Sequence, residues 1–338
     1  MDEQKSSNLN TGLEEKIQLN PEKSAEQDRT RRVWTNATVV ALIAILCNCL
    51  WGSAIPAIKV GYRYFAITDS VSTKFLFAGI RFLLAGLMVL VIYCIMHKKL
   101  PVLHRDEIMP VCALALVQTT IQYIFFYIGV ANCASANGSI VNACTTFVSV
   151  ILAHFIYKDD KLNGNKILGC LIGFAGVLMV TIGSGSEAST SVSFFGEGFV
   201  VIAALAFSVS GVMSKQITKK VDSILTTGYN LSIGGLVLIV IGMAEGGHFE
   251  QVNTPGILVL LYLALLSAVA FALWTILLKY NKIGKICIYN FVVPVSGIFL
   301  AGLILHEDIW HLKYFAAMIL VSIGIVIVNR RKEKEKAQ

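Results

Sequence analysis

Residues 256–278 read GILVLLYLALLSAVAFALWTILL, twenty-three positions without a charged side chain, between Pro255 and Lys279. A lipid hydrocarbon core is crossed by roughly 20 apolar residues of helix, so this one run suffices to span a bilayer. It lacks the period-two alternation of a barrel strand, which takes only about 10 residues. In lipid every backbone donor and acceptor must be satisfied within the segment, which leaves a helix. Working outward, nine similar runs follow or precede it. With residues 256–278 they make ten segments: 37–58, 75–96, 108–130, 136–156, 167–182, 195–213, 224–243, 256–278, 286–305 and 312–329.

Composition agrees with that reading. Of 338 residues 56% are hydrophobic and 14% charged, with a mean hydropathy of +0.70, whereas soluble domains carry about 25% charge. The fold class expected is an all-α integral membrane protein, with ten transmembrane helices arranged as two inverted five-helix repeats. The eight cysteines form no CxxC pair and lie mostly inside apolar runs, so they are read as small packing residues rather than metal ligands or a disulfide framework.

The net charge of +7 is informative through its placement. Taking alternate connections, one set holds both tails and Lys98, Lys99, Arg105, Lys158, Lys161, Lys166, Lys215, Lys219, Lys220, Lys279, Lys282 and Lys285. The other holds only Lys59, Arg63, Lys74 and Lys313. Cytoplasmic connections are rich in Lys and Arg, so both termini are expected in the cytoplasm, which requires an even number of crossings. Residues 1–33, polar and almost free of aromatic and β-branched side chains, read as a disordered cytoplasmic tail. Residues 34–183 and 195–331 are the two repeats, 184–194 a Gly/Ser-containing linker, and 332–338 a basic tail.

An offset of 148 residues superimposes Asn142 on Asn290, Ala153 on Ala301, Asp159 on Glu307, Asp160 on Asp308 and Gly176 on Gly324 without a gap. An offset of 156 places Lys59 on Lys215. Five crossings per unit is odd, so successive units run oppositely through the bilayer. Inverted repeats of this kind enclose a midplane site opened alternately to each side.

Together these stretches resemble two EamA modules of the drug/metabolite transporter superfamily. The resemblance rests on Trp51-Gly52-Ser53 leading to Lys59, Arg81-Phe82, Phe126 to Val130, Ser139 to Phe155 with an acid beyond it, and Gly176-Val177. In the second half it rests on Leu277-Leu278-Lys279, Pro294, Glu307 and Gly324. It covers about Thr35 to Arg331. Two positions depart from the family pattern: Thr146 stands where a proline is common, and Asp159 or Asp160 replaces a glutamate. The resemblance implies ten helices, cytoplasmic termini, a central cavity and export or import of small metabolites; the expectation here is export of solutes such as amino acids across the cell membrane.

Arg81 is the one charged residue well inside a run, six positions past Phe75. A charge there is costly and tends to face a cavity or partner; its guanidinium fork suits a carboxylate, or it snorkels to the outer interface. Lys59, just past Pro56, either draws an anion to the cavity mouth or anchors the interface. Pro56 and Pro294 are hinge candidates, since proline removes a backbone donor and bends a helix. Amides and aromatics near midspan are cavity candidates: Asn48, Trp51, Gln118, Gln122, Tyr123, Asn142, Tyr229, Tyr262, Trp274 and Asn290. Gln118 and Gln122, at i and i+4, are expected on one face. Such a lining suits a ligand with polar and apolar parts, although interhelical hydrogen bonding uses the same side chains.

Asp159, Asp160 and Glu307 are helix-end acids, read as interface charges or caps. The Gly169, Gly173 and Gly176 spacing permits close helix packing within the chain or in a homodimer. No acid lies deep in a run, and GxxxxGK[ST], HExxH and GxSxG are absent, so neither cofactor nor enzyme chemistry is expected. The partners expected are the lipid bilayer and a small-molecule solute, with no nucleic acid. A membrane-embedded enzyme and a non-transporting scaffold or pore are the competing classes.

Overall fold

The computed structural model describes residues 21–133, 138, 141–181, 193–305 and 312–330. Glu307, the basic tail 332–338 and the linker up to residue 192 therefore lie outside the described residues. The chain falls into two units, Met1–Leu42 and Ile43–Gln338. In the first, the expected disorder is corrected from Pro21 onward, because Pro21–Thr35 is a helix. The reason is local: proline is well placed at a helix start, Asp28 and Arg32 stand at i and i+4, and Arg32 complements the dipole in the last turn. This helix is exposed from Ala25 to Val33.

The remaining helices are α1 (Ala37–Tyr64), α2 (Val71–His97), α3 (Arg105–Ala131), α4 (Val141–Ile156), α5 (Gly164–Thr181), α6 (Phe194–Ile217), α7 (Ser223–Ala244), α8 (Thr254–Tyr280), α9 (Val292–Leu305) and α10 (Leu312–Asn329). A short helix Ile283–Ile286 and a 3₁₀ turn Cys287–Phe291 lead into α9. Eight helices are long and apolar enough to cross a membrane, and two apolar ones, Val141–Ile156 and Gly164–Met179, are shorter. Among the described residues there is no strand. The protein is an all-helical, multi-pass integral membrane protein.

Several helices begin earlier than their apolar runs, because polar caps satisfy the first free amides. Ser70 accepts from the Thr73 amide at the start of α2. Asp222 accepts from Ile224 and Leu225 ahead of α7, and Asn253 accepts from Gly256 ahead of α8, with Pro255 in its first turn.

The most extensive pairing is α2 against α7, followed by α5 against α10. Glycine makes both possible. Gly79 and Gly86 on α2 and Gly228, Gly235 and Gly242 on α7 recur at intervals of seven, so each set forms one stripe. A Cβ on Gly86 would lie 2.4 Å from the Ser232 backbone nitrogen. Gly169 would meet the Gly324 carbonyl oxygen at 2.6 Å, which places that glycine spacing at the α5–α10 contact inside the chain.

Candidate functional site

Arg81 lies in the interior. Because α2 starts at Val71 rather than near Phe75, Arg81 sits ten residues, about 15 Å, from the helix start. That depth corrects the alternative of an arginine snorkelling to an interface. Its side chain is buried (3% exposed), and Nε donates to Ser267 Oγ, midway along α8, at 2.8 Å. The guanidinium carbon stands 5.0 Å from the Phe82 ring centroid. Among the described residues no carboxylate comes within ion-pair distance of it, the single ion pair being Lys166–Asp160. The four N–H groups on its terminal nitrogens have no hydrogen-bond partner there. Tyr62 packs on Phe77 at 5.4 Å and Tyr127 on Tyr123 at 6.0 Å between ring centroids.

Aromatic rings extend from this cation. Phe82 lies 4.5 Å from Tyr123 and 6.2 Å from Phe271 between ring centroids. Trp51 stands edge-on to Phe271 at 5.4 Å, Trp274 at 5.0 Å and Phe207 at 6.3 Å. Ser267, Phe271 and Trp274 are spaced i, i+4 and i+7, so one face of α8 carries the partner of Arg81 at one end and Trp274 at the other. Trp51 thus links α1, α6 and α8, and its indole N–H is buried with no partner.

One turn before it on α1, Asn48 donates from Nδ2 to the Ala44 carbonyl at 2.7 Å, while its Oδ1 is buried and unpartnered. The Gln122 amide oxygen, the Asn290 amide oxygen and the Tyr62 hydroxyl are likewise buried without a partner. Such groups carry a desolvation cost unless something bonds them.

The other expected lining residues divide. Gln118 is committed to the scaffold: Asn230 on α7 donates to its Oε1 at 2.7 Å, and Thr119 donates to Asn230 Oδ1 at 3.0 Å. These residues ride a π-helical turn, Leu116–Ile121, within α3. Tyr229 donates to the Pro101 carbonyl, tying α7 to the connection before α3. Tyr262, 44% exposed, shares a hydrogen bond with Ser53 at 2.9 Å. Asn142 and Lys59 are exposed. The structure therefore gathers Arg81, Trp51, Tyr123 and Trp274, with Asn48 a turn from Trp51; Gln122 and Asn290 keep buried, unpartnered amide oxygens, and Gln118, Tyr229, Tyr262, Asn142 and Lys59 lie at scaffold contacts or on the outside. Asn230, Ser267, Tyr62, Tyr127 and Phe271 were missing from the sequence list. Asn230→Ala should lower stability by about 2 kcal/mol, because the buried Gln118 amide and Thr119 hydroxyl lose their partner; thermal unfolding in detergent measures it.

Of the hinge candidates, Pro56 lies inside a helix that continues to Tyr64, whereas Pro294 is the third residue of α9, in the first turn after the 3₁₀ turn Cys287–Phe291. The acids are more firmly held. Lys166 Nζ lies 2.6 Å from Asp160 Oδ1, and the Gly284 amide donates to Asp160 Oδ2 at 2.9 Å. Lys282 donates to the Asp159 carbonyl. Beside them Tyr157 donates to the Val212 carbonyl at 3.4 Å. Burial, and then the two carboxylates against an opposing hydrogen bond from Gln216, raise its phenol above the usual range, so it remains a neutral donor.

The chain matches the EamA-like transporter family twice, over residues 38–182 and 194–330. It belongs to that family. This EamA-like transporter is 25% identical over 305 residues to the uncharacterized transporter YvbV of Bacillus subtilis, spanning 89% of this chain and 94% of YvbV. It is 25% identical over 287 residues to a chloroplastic WAT1-related protein of Arabidopsis thaliana, spanning 82% of this chain and 66% of that protein. A crystal structure aligns with a TM-score of 0.73 at 16% identity, covering 87% of the EamA-like chain and 97% of the other, a likeness of fold. Membership makes the protein a membrane transporter.

Proposed function

We propose that this EamA-like chain moves small organic metabolites that carry a carboxylate, amino acids among them, by alternating access, and that Arg81 receives the acid group. The observation carrying this is a buried, unpaired arginine beside a wall of aromatic rings. A charge in a bilayer interior is retained where it meets a partner, and here the partner is supplied by the solute. On this reading the ten helices are ten crossings, two inverted five-helix repeats correspond to the two family matches, and both termini face the cytoplasm of the cell membrane.

The helix pairing supports the repeat. α2 packs on α7 and α5 on α10, each the same place in the two halves. α2 with α8 is mirrored by α7 with α3. Gly52 on α1 against Ser296 near α9's start is mirrored by Ser208 on α6, which accepts from Ser149 on α4 at 2.9 Å.

Export is the direction proposed, and the partners are the bilayer and the solute, with no nucleic acid. A homodimer would need a surface other than the Gly169 spacing. Transport, not catalysis, is the activity proposed. In liposomes the purified protein should carry a carboxylate solute with saturation, and Arg81→Ala should slow that flux at least about ten-fold, the equivalent of roughly 1.4 kcal/mol. Flux that is non-saturable, or equal in the variant, refutes the reading.

A further inference from the structure

The site around Arg81 holds one positive charge and nothing to balance a second group of the same sign. Resting on the transporter reading above, we infer that it selects a monoanionic organic acid with a flat apolar body, an arylalkanoate, over the zwitterionic amino acid of the same size. The argument begins with the count of charges. In the sequence none of the twenty-one acidic residues lies deep in an apolar run, and none comes within ion-pair distance of Arg81 among the described residues. A carboxylate entering this site gains a full counter-charge and a two-pronged donor in place of its water. An ammonium entering with it gives up its water and meets no carboxylate, which is the costly way to bury a charge.

The uncommitted polar atoms point the same way. Besides Arg81, the indole N–H of Trp51 is a buried donor without a partner, and donors are what an anion requires. The unpartnered amide oxygens of Asn48, Gln122 and Asn290 are neutral acceptors, which leave the charge of an ammonium without a counter-ion. A single guanidinium also under-matches a phosphate monoester, which carries a charge of about −1.5 to −2 near neutrality, so the acid group is a carboxylate. The remainder of the wall, Phe82, Phe271, Trp51 and Trp274, is packed ring against ring at centroid separations of 5.0–6.2 Å, so it forms one continuous aromatic surface on which an aryl group can make offset or edge contacts.

Four probes sharing a phenyl ring and short chain separate the possibilities: 3-phenylpropionate, phenylalanine, 2-phenylethylamine and 3-phenylpropanamide. Each is titrated against the full-length protein in detergent, with tryptophan fluorescence and melting temperature as readouts. The expected order is 3-phenylpropionate tighter than phenylalanine by at least about ten-fold, with the amine and the amide weaker than both. Arg81→Gln should abolish the preference. Ser267→Ala keeps the charge but frees Nε; it should weaken 3-phenylpropionate several-fold and leaves the test standing if Arg81→Gln does not fold. Phenylalanine binding as tightly as 3-phenylpropionate, with both dependent on Arg81, overturns the selection and leaves the carboxylate reading intact. Binding of neither acid, or binding of both unchanged in Arg81→Gln and Ser267→Ala, overturns the Arg81 reading and the selection with it.

Discussion

Gly235→Val will fail to reach the native packing, with a loss of about 3 kcal/mol or more. α7 lies against α2 with backbone nearly touching backbone. A Cβ at Gly235 would stand 2.5 Å from the Leu83 nitrogen, 2.8 Å from the Gly79 oxygen and 3.0 Å from the Phe82 carbonyl carbon. All three are main-chain atoms, so no rotamer change relieves them; the helices must separate. The neighbouring Gly234 closes the other side, where a Cβ would lie 2.4 Å from Thr119 Cβ and 2.8 Å from the Ala115 oxygen. α7 is thus wedged between α2 and α3 with no room to retreat. Separation would carry Phe82 and Arg81 away from α8, so ligand binding should fall together with stability. Gly211→Ala is the control, since its nearest neighbour would be Leu278 Cδ1 at 3.8 Å, and it should melt with the parent. Size-exclusion profile and melting temperature in detergent decide the matter; a Gly235→Val protein that melts normally would mean the two helices are not this close.

Those glycines show where the sequence was legible and where it was not. Apolar runs reveal helices because lipid-facing residues need no periodicity to be recognised, and residues 256–278 became Thr254–Tyr280 with two residues added at each end. The additions come from caps, which are polar and so invisible to a search for apolar runs. At Arg81 the same effect matters for function, because Ser70 starts α2 a full turn earlier and carries the arginine deeper. The seven-residue recurrence of Gly228, Gly235 and Gly242 was in the sequence, but a search for GxxxG finds only spacings of four.

Gln118 and Gln122 differ for another reason. They are joined by a π turn, which closes with the Gln122 amide donating to Val117, five residues back. Gln118 is buried against Asn230 while the Gln122 oxygen stays unpartnered. Which polar side chains serve the scaffold is a matter of neighbours 100 or more residues away in the chain, as with Gln118 and Asn230 at a separation of 112, and no local pattern encodes that.

Asp160→Asn should cost about 3–5 kcal/mol, because it strips the counter-charge from a lysine that cannot reach water. Side-chain exposure is 5% for Lys166 and 2% for Asp160. Lys166 Nζ also donates to the Asp160 and Lys161 carbonyls, at 2.9 and 2.8 Å, so its three protons are all directed inward. In the variant those two carbonyls remain, but neither is an anion. The other carboxylate oxygen is equally committed, accepting from the Gly284 amide across a gap of 124 residues. A side chain at residue 284 would bring a Cβ to 3.2 Å from both Asp160 Oδ1 and Lys166 Nζ, so glycine is what lets the main chain approach. The pair therefore joins the connection before α5 to the one before α9, with Lys282 to Asp159 and Lys215 to the Asn281 carbonyl as flanking ties. Lys166→Met alone should be similarly costly, leaving Asp160 charged with one amide donor. Asp160→Asn/Lys166→Met, which buries no net charge, should unfold well above the temperature expected from adding the two single losses, and that coupling is the signature of a buried pair. Additive single and double effects in the thermal unfolding cycle would mean the two groups are solvated. Alternating access would require the two connections to part, so the double variant should also exchange solute faster than the parent at the same degree of folding.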